Sequence, residues 1–322
     1  MSLTRRRFLE SATATTLTAA ALEAAPGKLP HRPFGKTGVR VPILAFGSGS
    51  RFLMYKEEER ALEALNRAID LGITYIDTAY AYGNGLSEER IGKLMPARRR
   101  EVFLVTKINE RDPDKAQRII EGSFRRLQTD RIDVIHVHGL AHEEDLARIE
   151  AKGGLLDVLR KLRDQKAIRF MGVTSHTNPE VLAKALERHD FNCTQMALNA
   201  ALMGAAAFTP QGQYAPGFVP SFETLALPVA NRKGLGVIAM KVFAQEKLLG
   251  KAPVEKLLQY SLSLPVATCV LGMPQLEHID RNVQVARSFR PLPADEKKRL
   301  SGELASTMKA AVDRHFADHV DA

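Results

Sequence analysis

The sequence predicts an α/β protein that folds as a (β/α)8 TIM barrel with an N-terminal β-hairpin and a C-terminal helical extension. Eight short, continuously apolar segments alternate with amphipathic segments whose apolar residues recur every three or four positions. Strands that are apolar throughout are typical of a parallel sheet, and eight βα units with right-handed crossovers can close into a barrel. An open doubly wound sheet is the alternative, but no Gly-x-Gly-x-x-Gly follows an early strand. The strands are expected at residues 43–49, 74–79, 102–108, 132–139, 169–175, 193–199, 236–242 and 267–273.

Residues 1–26 are predicted to be a leader that precedes a single domain of residues 27–322. The pair Arg5 and Arg6, then Phe8 and Leu9, and then a weakly apolar Ala/Thr stretch resemble a twin-arginine signal. An unstructured basic tail and an ordinary secretion signal are the alternatives, and the stretch is too short and polar for a confident membrane span. We therefore expect bacterial export to the periplasm, or tethering to the membrane, and a cytoplasmic location if the leader is not a signal.

The elements of the domain follow from local patterns. Two short extended pieces flank Gly35 and Gly38, which predicts the β-hairpin. Asp112 and Asn178 each precede a proline, as is typical of the capping residue of a helix with Pro in its first turn. The irregular stretch 201–221 follows the sixth strand, and such a long loop is usually functional. It is expected either to cover a substrate with Phe208, Tyr214 and Phe218 or to pack as an ordinary surface loop.

Composition excludes several functional classes. The 322 residues are 45% hydrophobic and 26% charged, which is ordinary for a globular chain that needs no metal or disulfide to hold its core. Cys193 and Cys269 lie in apolar runs and are expected to be small buried hydrophobes rather than a disulfide. The net charge of +9 is spread over helices that also carry acidic residues. No basic tract interleaved with aromatics is present, so we expect no nucleic-acid partner, although the charge can attract anionic ligands.

Four candidate catalytic residues fall at or just past the ends of three successive predicted strands: Asp77, Tyr82, Lys107 and His138. The carboxyl ends of parallel barrel strands meet at one rim, so these side chains should converge there. A free tyrosine has a pKa of about 10, and a neighbouring charged lysine lowers it. His138 is preferred to His136 because it lies nearer the strand end. A metal-dependent barrel hydrolase that uses the His-x-His of His136 and His138 is disfavoured, since no second His or carboxylate cluster appears at the other strand ends, and no metal is expected.

These motifs resemble the aldo-keto reductase family. The resemblance covers roughly residues 31–290 and is carried by FGKTG, YIDTAYAYGNGLSEERIGK, VFLVTK, RIDVIHVH, RFMGVTSH and LGMPQLEHIDRNV. It implies an NAD(P)(H)-dependent oxidoreductase that reduces aldehydes or ketones, or oxidises the corresponding alcohols or sugars. In this family Tyr82 would be the general acid and base, Lys107 would lower its pKa, Asp77 would hold Lys107, and His138 would orient the carbonyl.

The resemblance also implies a cofactor site, with NADPH expected and NADH possible. Ser175 stands where many members have Asn, Met240 stands where an aromatic often stacks on the nicotinamide, and His278 replaces an Arg that often binds the 2′-phosphate. Arg281 is close enough in sequence to compensate. The implied contacts are Thr174, Ser175 and Gln195 for the carboxamide, Met240 and Lys241 for the ring, Gly272 and Met273 for the pyrophosphate, Asn282 for the adenine, and His278 and Arg281 for the 2′-phosphate.

A second functional class remains open. The chain could be a nucleotide-binding, redox-sensing or partner-binding subunit with slow turnover, although such a subunit does not need all four catalytic residues. Because free NADPH is not expected outside the cytoplasm, an exported reductase should carry its nucleotide with it. A sugar, a small ketone and an aromatic aldehyde fit the sequence about equally well as substrates, and a monomer is weakly expected.

Overall fold

The computed structural model describes residues 28–204 and 219–317. The predicted leader at residues 1–26 lies outside the described residues. Phe208, Tyr214 and Phe218, the predicted lid, also lie outside them, so both predictions stay predictions.

Eight parallel strands form a closed barrel in which each strand pairs with its neighbours in the sequence and the last pairs with the first. This confirms the predicted (β/α)8 barrel, and each strand lies inside or within one residue of the segment expected for it. A two-stranded antiparallel hairpin, β1 (His31–Pro33) and β2 (Arg40–Pro42), precedes the barrel. The barrel strands are β3 (Leu44–Gly47), β4 (Tyr75–Asp77), β5 (Phe103–Ile108), β6 (Ile132–Val137), β7 (Ile168–Ser175), β8 (Cys193–Ala197), β9 (Gly236–Met240) and β10 (Thr268–Leu271).

Helices surround the barrel, and the amphipathic ones such as α1, α4, α6 and α7 each bury an apolar face. The predicted caps are present: Asp112 accepts a hydrogen bond from the Lys115 backbone, and Asn178 accepts from Glu180 and Val181. The helices are α1 (Glu58–Asp70), α2 (Leu86–Gly92), α3 (Met95–Arg98), α4 (Pro113–Arg126), α5 (Glu143–Glu150), α6 (Leu155–Asp164), α7 (Pro179–Arg188), α8 (Leu227–Arg232), α9 (Val254–Leu262), α10 (Leu276–Arg287) and α11 (Ala294–Phe316).

The hairpin closes the amino-terminal end of the barrel. Its Phe34 ring is fully buried and lies 5.3 Å from the ring of Phe103 and 6.1 Å from that of Tyr75. Gly35 has a φ of +56°, and a Cβ there would lie 2.4 Å from the backbone nitrogen of Gly236. Only glycine therefore lets the hairpin approach β9 this closely, and the open end of the barrel is the one where the strands end.

The C-terminal helix α11 forms the predicted helical extension. It buries Val312 and Phe316, and Lys309 Nζ donates to the carbonyl oxygens of Leu202 and Gly204 at 2.8 Å each. Asp313 accepts from the Gly204 backbone at 2.9 Å. The helix thus fixes the chain at the point where the long loop begins.

Both cysteines are free and buried, as predicted. Burial raises the pKa of Cys269 to about 12, so its thiol stays protonated at neutral pH. Within the two described stretches, no helix is long and apolar enough to cross a bilayer.

Candidate active site

The ends of β4 and β5 bring three of the four predicted catalytic residues into contact. Lys107 Nζ donates to Asp77 Oδ1 at 2.5 Å, to the carbonyl oxygen of Thr78 at 2.8 Å and to the phenolic oxygen of Tyr82 at 3.2 Å. Asp77 and Lys107 are each only 1% exposed. The ammonium group is therefore surrounded by oxygens and points at the tyrosine hydroxyl.

The fourth residue, His138, follows β6 and lies against Tyr82. The two ring centres are 5.8 Å apart, in an edge-on arrangement. The backbone of His138 is fixed on both sides, because its N–H donates to the carbonyl oxygen of Ile108 at 2.8 Å and its carbonyl oxygen accepts from Arg111 Nη2 at 2.8 Å. The structure therefore gathers all four residues at the carboxyl-terminal rim.

A buried hydroxyl network holds the loop that carries Tyr82. Ser87 Oγ lies 2.8 Å from Thr78 Oγ1 and donates to the carbonyl oxygen of Ser48 at 2.8 Å. Ser48 Oγ in turn donates to the Asp77 carbonyl oxygen at 2.7 Å. These bonds tie the start of α2 to the ends of β3 and β4, which explains structurally why Thr78 and Ser87 stand in the motif around Tyr82.

Glu88, the next residue of this motif, is fully buried and paired. Its two carboxylate oxygens accept from Thr106 Oγ1 at 2.6 Å and from Arg126 Nε at 2.8 Å. A buried carboxylate is tolerated only when such partners satisfy it. Glu88 therefore links α2 to β5 and α4, and so helps to fix the position of the loop that carries Tyr82.

Burial and the neighbouring ammonium group of Lys107 act in opposite directions on Asp77 at the base of the site. Burial raises the pKa of Asp77, and the Lys107 charge and hydrogen bond oppose that rise. The Lys107 ammonium also lies 4.9 Å from the Tyr82 ring centre. A cation that donates to a phenolic oxygen stabilises the phenolate more than the phenol, so the arrangement can release and recover a proton at Tyr82.

His136 lies deeper in the barrel than His138 and is fully buried. Neither of its ring nitrogens has a hydrogen-bond partner among the residues that the structure describes. Burial, and then the charges of Lys107 and His138, hold the pKa of His136 well below its usual value. His136 is therefore a neutral interior residue, and His138 is the histidine of this strand that reaches Tyr82.

A cavity of about 340 Å³ opens beside Tyr82 at the rim, a size typical of a small-molecule or cofactor site. Two of the four predicted catalytic residues and seven of the ten predicted cofactor residues line it, whereas Lys107 and His138 are not part of the lining. From those two sets its lining contains Asp77, Tyr82, Gln195, Met240, Lys241, Gly272, His278, Arg281 and Asn282.

Three predicted cofactor residues are not part of this described lining. Thr174 Oγ1 accepts from the Gly139 backbone at 2.8 Å, so it ties the end of β6 to β7. Ser175 is fully buried and its hydroxyl faces the Asn178 carbonyl oxygen, and Met273 is fully buried. Their contacts with the nucleotide stay predictions.

His176 lines the cavity at the end of β7 and was not among the predicted site residues. The strand alternation contains the signal, since residues 172, 174 and 176 should share one side of the strand. Arg51, which the sequence places in a loop that shapes the pocket, lines the cavity and pairs with Glu246 at 3.0 Å. Ion pairs between distant loops have no local sequence signal.

The cavity has the features that a nicotinamide nucleotide needs. Gln195 Oε1 is buried, lines the cavity and has no partner within the described residues, so it can accept from a carboxamide N–H. A Cβ at Gly272 would lie 2.7 Å from Arg51 Cβ, so glycine keeps the backbone bare there. Helix α10 begins just beyond, and helix N-termini favour phosphate groups.

The far end of the cavity carries the two residues expected at a 2′-phosphate. Arg281 Nη2 donates to Glu255 Oε1 at 2.7 Å and remains about half exposed. Exposed ion pairs of this kind are weak, so Arg281 can exchange Glu255 for a phosphate. His278 lies one helical turn earlier, on the same cavity wall.

No group of three or more His, Cys, Asp or Glu residues in the described parts of the chain is arranged to hold a metal ion.

Several known proteins are similar to this chain in sequence and in fold. Residues 44–252 match the model of the Aldo/keto reductase family. The uncharacterized oxidoreductase YqkF of Bacillus subtilis is 27% identical over 276 residues, 76% of this chain and 87% of that protein. The L-galactose dehydrogenase of Arabidopsis thaliana is 25% identical over 298 residues, 84% of this chain and 92% of that protein. Among solved structures, a putative aldo-keto reductase from Pseudomonas aeruginosa is 27% identical with a TM-score of 0.63, covering 80% of this chain and 94% of that one.

Proposed function

The chain belongs to the aldo/keto reductase family, and on that premise we propose that it is an NADPH-dependent oxidoreductase that reduces aldehydes or ketones. In the reverse direction it oxidises the corresponding alcohols or sugars. The observation that carries this proposal is the Tyr82 hydroxyl, which lies on the cavity wall and within 3.2 Å of the buried Lys107 ammonium.

The chain's own residues supply the proton chemistry. When bound, the nicotinamide supplies the hydride that the carbonyl carbon receives. Tyr82 gives its proton to the carbonyl oxygen and becomes a phenolate, which the Lys107 charge stabilises until solvent returns a proton. Asp77 holds Lys107 in place through the 2.5 Å bond. His138 donates to the carbonyl oxygen and orients it toward Tyr82.

The cavity wall accounts for nucleotide binding. Gln195 would accept from the carboxamide, the bare backbone at Gly272 and the start of α10 would hold the pyrophosphate, and Asn282 would lie at the adenine; Gln195, Gly272 and Asn282 all line the cavity. His278 and Arg281 favour the 2′-phosphate of NADPH over the hydroxyl of NADH. The dissociation constants of the two nucleotides, measured by fluorescence titration, check that preference.

A small carbonyl compound or a sugar is the proposed substrate class. One relative that spans most of the chain is named L-galactose dehydrogenase, and the cavity combines polar groups with the apolar Met240 and Val270. Such a mixed wall suits a ligand that carries oxygens on a short carbon chain.

The decisive experiment compares Tyr82→Phe with Tyr80→Phe. Tyr80 is two residues away, and its ring centre lies 4.9 Å from the guanidinium carbon of Arg126. Tyr80→Phe therefore also removes a phenolic hydroxyl, but one that lies outside the cavity lining. NADPH oxidation with short aldehydes should fall about 100-fold or more in Tyr82→Phe and stay near wild type in Tyr80→Phe. Equal rates in wild type and Tyr82→Phe, with nucleotide still bound, would instead favour a slow nucleotide-binding subunit.

We further propose that Arg5 and Arg6 direct export of the folded, nucleotide-loaded monomer by the twin-arginine route. Replacing both by lysine should keep the protein in the cytoplasm of a bacterial host, as cell fractionation would detect. Wild-type protein from the periplasmic or membrane fraction should carry bound nucleotide in its absorbance spectrum. Export that ignores the double replacement, or an exported protein without nucleotide, would reject this route.

A further inference from the structure

Arg111, in the loop between β5 and α4, is a buried cation beside the site that none of the proposed steps uses. It is 7% exposed and is not part of the described cavity lining. Its guanidinium forms an ion pair with Asp145 on α5, from Nε to Oδ1 at 2.6 Å and from Nη2 to Oδ2 at 2.8 Å. A buried charge needs such a partner, but this pair does not account for the other contacts of the guanidinium.

The other contacts of Arg111 are with the backbone around His138. Nη2 donates to the carbonyl oxygen of His138 at 2.8 Å, and Nη1 donates to that of Ile108 at 3.3 Å. The Ile108 oxygen also accepts from the N–H of His138 at 2.8 Å. One guanidinium therefore contacts the carbonyl oxygen of His138 and also the oxygen that receives its N–H, and the planar arrangement of its donors is rigid.

The backbone at His138 lies where the strand pairing stops. The register of β6 with β7 runs to Val137, and the chain turns at Gly139, whose φ is +67°. A buried carbonyl oxygen past the end of a strand needs a donor from outside the ladder, and Arg111 supplies it. The orientation of His138 should therefore depend on this side chain.

Helix α5, which carries Asp145, is held in place by contacts of its own. Its Leu146 and Ile149 are buried in the core, and Glu143 pairs with Lys184 of α7. Because the helix has these other contacts, loss of the bonds to the guanidinium should displace the catalytic histidine rather than the helix.

We propose that Arg111 is a positioning residue for the reaction. It holds His138 in the orientation in which the imidazole meets the carbonyl oxygen of the substrate, and Asp145 holds Arg111. This inference rests on the proposed function, because it assumes that His138 orients a carbonyl beside Tyr82.

The test compares Arg111→Met with Arg99→Met, a matched control at the closed end of the barrel. Arg99 also bonds one carboxylate and two carbonyl oxygens: Asp133 Oδ2 at 2.8 Å and the oxygens of Val102 and Arg131 at 2.7 Å each. Both variants therefore lose the same kinds of contact, but only one of them loses a contact with the catalytic histidine.

In Arg111→Met, kcat for propanal should fall about 10- to 100-fold, because a reacting group misplaced by about 1 Å can cost about 100-fold in rate. The NADPH dissociation constant should not change. Arg111→Lys keeps the charge and part of the donors and should recover part of the loss, whereas Arg99→Met should keep the wild-type kcat. In the His138→Ala background, Arg111→Met should cause no further loss of kcat.

A readout without nucleotide or substrate completes the test. The imidazole resonances of His138 in an NMR spectrum, identified by their loss in His138→Ala, should shift in Arg111→Met. They should stay in place in Arg99→Met, because that residue lies at the other end of the barrel.

Two kinds of result would overturn the inference. Equal losses of kcat per folded molecule in Arg111→Met and Arg99→Met would mean that Arg111 only maintains the fold. Losses that multiply in the double variant with His138→Ala, or unshifted His138 resonances, would mean that Arg111 does not act through His138. If Tyr82→Phe loses activity while Arg111→Met keeps it, only this inference fails. If wild type binds NADPH but reduces no carbonyl compound, the proposed function fails, and this inference fails with it.

Discussion

At the scale of single residues, the site depends on a buried ion pair. Taking a carboxylate and an ammonium out of water is costly, and their attraction offsets that cost only when the geometry is good. The raised pKa of Asp77, caused first by burial, is the signature of this cost. The role of Lys107 is therefore its effect on Tyr82 rather than a gain in the free energy of unfolding.

Removing one partner of this pair should cost more than removing both. Lys107→Met leaves Asp77 buried without its counter-ion, so the free energy of unfolding should fall by about 3–5 kcal/mol. The double variant Asp77→Asn/Lys107→Met should regain most of that loss. Activity should be reduced about 100-fold or more in both. Denaturant titrations and NADPH oxidation assays give these quantities, and strictly additive stability losses would contradict the account.

The catalytic residues were predictable from sequence because Asp77 and Lys107 lie at the ends of apolar strands, His138 directly follows one, and Tyr82 lies in the loop after Asp77. Asp77, Tyr82, Lys107 and His138 needed only the strand order to be placed together. His176 was missed although it directly follows β7 as His138 follows β6, and the alternation along β7 contained the signal. The hydroxyl of Thr174 is occupied by the Gly139 backbone, and that bond depends on how two strands lie side by side, which local sequence does not specify.

At the scale of elements, β6 and β7 are fitted to each other around His136. The two strands pair with His136 opposite Gly172. A Cβ at Gly172 would lie 2.5 Å from His136 Nδ1 and 2.7 Å from Cys193 Sγ. Glycine is therefore the residue that leaves room for a full imidazole inside the barrel, directly below the catalytic layer.

This buried histidine should make the protein less stable in mild acid. The pKa of His136 in the native state lies well below 6.5. In mild acid, therefore, the unfolded chain binds a proton at this histidine and the native state does not. The free energy of unfolding is then unaffected by this histidine above about pH 6.5. Below that pH it decreases by at most about 1.4 kcal/mol per pH unit. Denaturant titrations between pH 7.5 and about 5 should show a flatter dependence for His136→Leu than for wild type.

The control for that experiment is His31→Leu, which removes a histidine from the hairpin. Its pH dependence should match that of wild type. Parallel curves for wild type and His136→Leu would mean that His136 is protonated or solvated in the native state.

The strands were predictable because apolar runs bounded by turn residues mark them well, although the expected segments extend past the strand ends. The last strand, for example, was expected to reach residue 273 and ends at Leu271. The residues beyond the strands form the rim, where backbone positions follow from contacts such as Arg51 with Glu246. Those contacts join loops far apart in the chain, so no window of sequence contains them.

At the scale of the whole molecule, the barrel is closed at one end and functional at the other. Phe34 fills the closed end among the rings of Tyr75, Phe103 and Phe170. None of these four aromatic residues is part of the described lining of the cavity beside Tyr82. Stability and catalysis should therefore be separable.

Phe34→Ala should lower the free energy of unfolding by about 3–5 kcal/mol, because it leaves a cavity among packed rings. The kcat and KM of the folded fraction should stay near wild type. Leu86→Ala, at a partly exposed position, is the matched control and should change stability little. A large drop in kcat with unchanged stability would show that the two ends of the barrel are coupled.

Bound nucleotide should stabilise the molecule as a whole. A ligand that binds only the native state at 100 times its dissociation constant adds about 2.7 kcal/mol to the free energy of unfolding. At equal concentrations NADPH should raise the Tm more than NADH, and His278→Ala/Arg281→Ala should narrow that difference. An equal or reversed order in wild type would reject the assignment of these two residues to a 2′-phosphate.

The central claim is that hydride is transferred to a carbonyl carbon while Tyr82 protonates the carbonyl oxygen. A single-turnover experiment with NADPH deuterated at C4 of the nicotinamide tests this claim most directly. Wild type should place deuterium on the carbinol carbon of the product, from one face of the nicotinamide only. Tyr82→Phe should bind the nucleotide but form labelled product about 100-fold more slowly or worse. Product without deuterium from NADPH labelled on either face of C4 in turn, or labelling at the wild-type rate in Tyr82→Phe, would contradict the account.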